Sequence, residues 1–151
     1  MKISKEQSER ILKLDVSGWG GHDSAIASAL GFTRESARFY DAVDSNGKKY
    51  EFKKQASQQW IDVYKLSQLS EEDKKIPVLF FIHKDGAITE IYETNYKKLI
   101  KAMGMNNRDL KAIGKLYERK AITQSIQMKG PLNFSSIKTF KKIWKRSRQN
   151  K

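Results

Sequence analysis

Apolar and polar positions change period several times along the chain, and each change marks an element. Ile11, Leu12 and Leu14 follow Ser4 at helical spacing, so residues 4–14 read as an amphipathic helix with Ser4 as N-cap. Gly18-Trp19-Gly20-Gly21 ends it; these glycines match no phosphate-cradling pattern and read as a turn anchored by Trp19. Asp23 caps a second, short helix that Gly31 closes, and Ala25, Ala27, Ser28 and Ala29 let it pack closely. His22, just before it, reads as a surface or capping residue. Residues 41–53 form two short strands around Asn46-Gly47. Behind Ser57 as N-cap, the stripe Trp60, Ile61, Val63, Tyr64 and Leu66 predicts a helix over 57–69.

Pro77 to Ile82 is almost continuously apolar, as in a strand covered on both faces, and it marks the centre of a sheet. His83 is its polar end, and Asp85-Gly86 turns the chain into a second strand over 87–92. Thr94 or Asn95 caps a helix through Met103, and Asn107 another through about Lys120, with Leu99, Ile100, Leu110, Ile113, Leu116 and Tyr117 toward the core. Ile122 to Met128 alternates as a strand that Gly130-Pro131 ends, and Ser135 or Ser136 opens a last helix to about Arg146.

A chain of 151 residues is long enough for one domain with a real core and too short for two, so a single domain over 1–151 is expected. It divides into a helical part (1–31), a sheet with its covering helices (37–128) and a basic C-terminal helix (134–151). Thirty Lys plus Arg against seventeen Asp plus Glu give +13, a balance that favours a polyanionic partner, nucleic acid first. No apolar run is long enough to span a bilayer, and no Lys-rich helix carries a broad apolar face, so no membrane partner is expected. The absence of cysteine excludes a disulfide framework and thiolate zinc sites. The start Met1-Lys2-Ile3-Ser4-Lys5-Glu6 lacks the apolar core of a signal peptide, so a cytoplasmic protein is the simplest expectation.

The chemistry turns on the register of the 41–53 hairpin. A two-residue loop at Asn46-Gly47 would send Asp41 and Glu51 to opposite faces, because side chains alternate with period two. A three-residue loop, Ser45-Asn46-Gly47 with Gly47 left-handed, pairs Asp44 with Lys48 and therefore Asp41 with Glu51. We expect the second. The two carboxylates then stand about 5 Å apart, an unfavourable arrangement unless a cation lies between them. A hard divalent ion with oxygen ligands at about 2.1 Å would suit, and Mg²⁺ keeps waters for chemistry. Lys53 shares that face. Acid-x-Lys also occurs at Glu72/Lys74, Asp73/Lys75, Asp109/Lys111 and Glu118/Lys120, all in polar stretches; only Glu51-Phe52-Lys53 lies in a strand pattern with a second acid opposite.

Asp41, Glu51 and Lys53, in the run Asp41-Ala42-Val43-Asp44, Gly47, Tyr50-Glu51 and Lys53, resemble the catalytic motif of the PD-(D/E)XK nucleases, type II restriction endonucleases among them. The resemblance continues through Ile76-Pro77, Phe80, Ile82, Ala87-Ile88, Ile91-Tyr92, Lys97 and Leu99, and so covers residues 41–99. Tyr40 stands where that family usually has proline. The resemblance implies an α/β (α+β) fold with a central mixed β-sheet flanked by helices. It also implies a Mg²⁺ cofactor, with Mn²⁺ able to substitute, held by Asp41, Glu51 and the carbonyl of Phe52. Lys53 would orient or deprotonate the attacking water. Double-stranded DNA is the implied substrate. A homodimer, its contact within residues 1–31, and a cognate DNA methyltransferase as functional companion are also implied.

Gln58 and Gln59 closely follow the catalytic strand, and Gln makes bidentate contacts to adenine. Gln124, Gln127, Lys129 and Asn133 occupy a strand and turn whose counterpart carries groove contacts in the resembling family. From Arg119 onward there are ten Lys or Arg and no acid. In that stretch Lys141 and Lys145, interleaved with Phe140 and Trp144, are expected to contact the DNA backbone. Two other functions stay open on sequence: a structure-specific nuclease of the same scaffold, and a non-catalytic basic DNA-binding module whose acids merely balance nearby lysines.

Overall fold

The computed structural model describes residues 1–18, 20–55, 58–119 and 129–147. Two helices, α1 (Lys5–Leu12) and α2 (Asp23–Leu30), precede the short strands β1 (Thr33–Arg34) and β2 (Ala42–Val43) and the longer β3 (Lys49–Gln55). Next come β4 (Gln59–Asp62), α3 (Val63–Ser67) and a 3₁₀ turn at Asp73–Lys75, then β5 (Pro77–Lys84) and β6 (Ala87–Asn95). The chain continues through α4 (Tyr96–Ala102) and α5 (Asn107–Glu118) to β7 (Lys129–Leu132), α6 (Phe134–Ile137) and β8 (Lys141–Lys145). Six strands form a mixed sheet in the order β1-β2-β3-β5-β6-β8, while β4 and β7 pair as a separate antiparallel ribbon. Among the described strands of this sheet only β3 and β5 run parallel. The fold is therefore α+β with a central mixed sheet, as the sequence leads one to expect.

β5 is the centre because both of its faces are apolar. Val78, Phe80 and Ile82 enter one core layer, with Leu66, Tyr96, Leu99 and Leu110 from the α3, α4 and α5 side. Leu79 and Phe81 enter the other, against Ile11, Ile26 and Leu30 from α1 and α2. Period-two alternation thus feeds two cores from one strand. Ser4 and Gln7 close α1 with a reciprocal capping box. Ala27 and Ala29 of α2 are buried against the chain's own sheet, so the small residues serve an intramolecular contact.

Lys54 ties the glycine segment to the sheet. Its ammonium donates to the carbonyls of Val16 (2.9 Å) and Gly18 (3.1 Å) and lies 2.7 Å from His22 Nδ1. His22 itself occupies the N-cap position of α2 without a side-chain cap bond, one residue earlier than the expected cap at Asp23. Asn106 rather than Asn107 caps α5, with Asp109 completing a capping box.

Larger departures concern whole elements. The helix over 57–69 is a strand, Gln59–Asp62, followed by a five-residue helix. Asp62 starts that helix because its carboxylate accepts from the N–H groups of Tyr64 (3.0 Å) and Lys65 (3.2 Å). Gly130-Pro131 does not end a strand but lies within β7, where Ile61 pairs with Gly130 and Trp60 with Pro131; the strand expected over 122–128 lies outside the described residues. The basic helix over 134–151 is a single turn of helix and then an edge strand. β6 recruits it: Trp144 pairs with Ile91 in register and donates to Ser8 Oγ at 2.8 Å, and Lys142 reaches Glu90 at 3.1 Å. The sheet therefore draws β1 and β8 from outside the 37–128 span. Among the described residues no helix is long and apolar enough to cross a membrane.

Phe81→Ala should lower unfolding stability by about 3–5 kcal/mol, since a fully buried ring leaves a cavity between helix layer and sheet. Trp60→Ala, at a side that is 55% exposed, should cost less than about 1 kcal/mol. Urea denaturation of both variants checks the contrast.

Candidate metal and phosphate site

The hairpin adopts the three-residue loop. Ala42 pairs with Tyr50 and Val43 with Lys49; the Asp44 N–H donates to the Lys48 carbonyl at 2.9 Å. Gly47 sits at φ 78°, a conformation that favours glycine, and donates its N–H to the Asp44 carbonyl at 3.0 Å. The Asp44 carboxylate accepts from the N–H groups of Asn46 and Lys48, which fixes the turn. The ladder ends at the Ala42–Tyr50 pair; beyond it Asp41 lies in a bend, its N–H also donating to the Tyr50 carbonyl at 2.8 Å, and its carboxyl comes beside that of Glu51.

Tyr50, Phe52 and Ala42 point into the α1/α2 core layer, so Glu51 and Lys53 share the opposite face, beneath α3 and α4. Glu51 is buried, and its Oε2 gathers three groups: Lys65 Nζ at 2.6 Å, the Tyr96 hydroxyl at 2.8 Å and Lys53 Nζ at 3.6 Å. The Tyr96 hydroxyl also lies 2.7 Å from the Phe39 carbonyl, which secures the segment leading to Asp41. Asp41 Oδ2 accepts the Phe52 N–H at 2.7 Å. Because N–H and C=O of one strand residue point to the same edge, the Phe52 carbonyl also faces the Asp41 side. Arg34 donates to the Asp41 carbonyl at 2.8 Å and sets its guanidinium 3.9 Å from Oδ1.

The two acids titrate very differently. Burial, then the hydrogen bond and charge of Glu51, push the Asp41 carboxyl up to about 7, against a smaller opposing effect of the Phe52 N–H. For Glu51 burial is again the largest single effect and would raise the pKa. Lys53, the hydrogen bond with Asp41 and the Lys65 ammonium together outweigh it and bring the group down to about 2. The pair therefore holds one firmly ionised carboxylate beside one that gives up its proton near neutrality.

The structure brings Asp41, Glu51 and Lys53 together, and adds three groups the sequence reading did not find: Lys65, Tyr96 and Arg34. Lys65 and Tyr96 carry no motif and sit in stretches read as covering helices, so only the packing of α3 and α4 onto β3 reveals them. Gln58 is exposed, while Gln59 has a buried Oε1 without a hydrogen-bond partner among the described residues. Lys129 lies in β7 and Asn133 is exposed at the start of α6, both in or beside the β4–β7 ribbon. Gln124 and Gln127 lie outside the described residues. Lys141 and Lys145 are exposed on β8, three strand spacings from β3, roughly 14 Å. They are not gathered at the carboxylates.

The donor set fits a hard divalent cation: two carboxylates that repel each other at neutral pH and a main-chain carbonyl on the same edge. Among the described residues no three His, Cys, Asp or Glu side chains cluster. An ion would therefore take Asp41, Glu51 and the Phe52 carbonyl, with water completing its shell. Without divalent ions the raised Asp41 pKa gives a pH test. The folded state binds a proton more strongly than the unfolded one, so this group's stabilisation is full below about pH 4 and lost as pH rises to about 7. Asp41→Asn should remove that slope, making the variant more stable than wild type by about 1–2 kcal/mol at pH 8 in EDTA and by less at pH 5. Thermal melts of both proteins across that range would show otherwise if the difference were flat. No known protein-family model matches the chain and no curated protein matches it, so the site is read from its own geometry.

Proposed function

We propose that the protein is a Mg²⁺-dependent endodeoxyribonuclease of the PD-(D/E)XK type, acting as a type II restriction enzyme on double-stranded DNA. The observation that carries this reading is the meeting of the Asp41 and Glu51 carboxyl groups at the end of the hairpin, with Lys53 on the same face as Glu51 and 3.6 Å from it. Asp41, Glu51 and the Phe52 carbonyl would hold the ion. Bound there, Mg²⁺ would supply Lewis acidity toward a phosphate oxygen and make water a better nucleophile at neutral pH.

Lys53 would orient the attacking water, or accept its proton, and offset negative charge on the scissile phosphate. Arg34 keeps the Asp41 backbone in place from the strand edge, and Tyr96 fixes Glu51 from below. The net charge of +13 favours a DNA backbone as partner. Gln58, just before the ribbon, and Trp60 within it are exposed, and the ribbon leads directly into the helix that carries Lys65. A homodimer on a palindromic site, with a cognate methyltransferase as companion, is the form this reading implies. The apolar side of α2 is occupied by the chain's own sheet, so the dimer contact would use its exposed Ser24, Ala25 and Ser28 side or another surface.

With Mg²⁺ or Mn²⁺ the protein should cut linear duplex DNA of known sequence into discrete fragments. Asp41→Ala, Glu51→Gln and Lys53→Ala should each lower the rate by at least about 10²-fold while leaving most of the salt-sensitive DNA affinity. Mapped fragment ends read out the result. Cleavage confined to branched DNA would replace the restriction reading with a structure-specific nuclease, and binding with no cleavage under either ion would leave a basic DNA-binding module.

A further inference from the structure

Lys65 lies outside the acid-x-Lys motif, yet it is nearer Glu51 than Lys53 is, at 2.6 Å against 3.6 Å. It stands in the first turn of α3, whose start Asp62 fixes, and its side chain is 21% exposed, so the ammonium has a way out toward solvent. Four rotatable bonds let that ammonium move without any change of backbone. In charge terms the described site is balanced: Asp41 and Glu51 face the ammonium groups of Lys53 and Lys65, and the Arg34 guanidinium beside Asp41 is shared with Asp23 at 3.6 Å. A divalent ion entering this arrangement leaves an excess of two positive charges in a half-buried place. Such an excess is unfavourable until anions arrive to meet it.

We propose that Lys65 makes metal uptake conditional on DNA: its ammonium occupies Glu51 in the free protein and turns to a backbone phosphate once an ion has taken over that carboxylate. This rests on the nuclease reading above and adds to it a coupling between two ligands. The coupling is reciprocal, since whatever factor DNA adds to ion affinity, the ion adds to DNA affinity. A free protein of this kind binds divalent ions weakly and is loaded only on its substrate.

The test is Mn²⁺ binding, followed by electron paramagnetic resonance, with and without an excess of sheared genomic DNA, which contains every short site. Wild type should bind Mn²⁺ roughly tenfold or more tightly when DNA is present, within the usual range for coupled sites. Lys65→Met keeps the alkyl stem and loses the charge. It should bind Mn²⁺ about tenfold more tightly than wild type without DNA, and gain correspondingly less from DNA. Lys65→Gln, which keeps a hydrogen-bond donor for Glu51, should do the same and serves if Lys65→Met does not fold; Lys65→Arg should keep the wild-type gain. A neutral variant whose DNA-free affinity is unchanged, or whose gain from DNA is undiminished, would show that Lys65 only neutralises a buried acid. Absence of Mn²⁺ binding to any of these proteins, with or without DNA, would remove the metal site itself and this coupling with it.

Discussion

A buried carboxylate opposite a second carboxylate is the interaction on which the rest of this molecule depends. Glu51 has almost no access to water, and the Asp41 carboxyl meets it from the end of the neighbouring strand. Left alone, such a pair would protonate or pull the strands apart. Here Lys65 and Lys53 keep Glu51 charged, the Tyr96 hydroxyl takes part of its hydrogen-bonding capacity, and the remaining frustration is passed to Asp41. An acid that titrates near neutrality beside one held ionised well below the usual carboxylate range is an arrangement with more use to a ligand than to stability.

The surrounding layers hold that pair still. β3 carries it because β3 is parallel to β5, and β5 is clamped by cores on both faces, so Glu51 pairs in the sheet with fully buried Val78. On the back of β3, Tyr50 and Phe52 anchor the strand in the α1/α2 layer, with Phe52 edge-on to Phe81 at 5.6 Å. A strand fixed by apolar residues on one side can afford charged ones on the other. The three groups added by tertiary structure each come from a different element: Arg34 from β1, Lys65 from α3 and Tyr96 from α4. Their convergence ties the stability of the hairpin to the packing of helices distant in sequence.

The departures from the sequence reading share one cause. Residues 57–69 and 134–146 both have apolar positions compatible with a helical stripe, and both end up partly as strands because a partner strand was waiting. β7 pairs with Gln59–Asp62, and the outer edge of β6 pairs with Lys141–Lys145. For β8 the partner also supplies Glu90 to a lysine and Ile91 to a tryptophan, contacts a solvated helix would lack. Local propensity is weak beside such pairing. The basic character of the C-terminal stretch was legible, but its place at the far edge of the sheet was not.

What the sequence determined by itself were the features with local causes. The three-residue loop follows from Asn46-Gly47 and from the Asp44 carboxylate that caps it, and it sets Val43 against Lys49 and Ala42 against Tyr50, which brings Asp41 to the neighbourhood of Glu51. The continuous apolar run of β5 likewise announces a strand buried on both faces, and the Ser4 and Asn95 caps announce their helices. Tertiary structure decided what depends on elements meeting: which face of β3 is covered, which lysine reaches Glu51 most closely, and where the basic tail lies. Those are matters of long-range packing, and a residue such as Lys65 differs from any other surface lysine only through the carboxylate that the fold places 2.6 Å away.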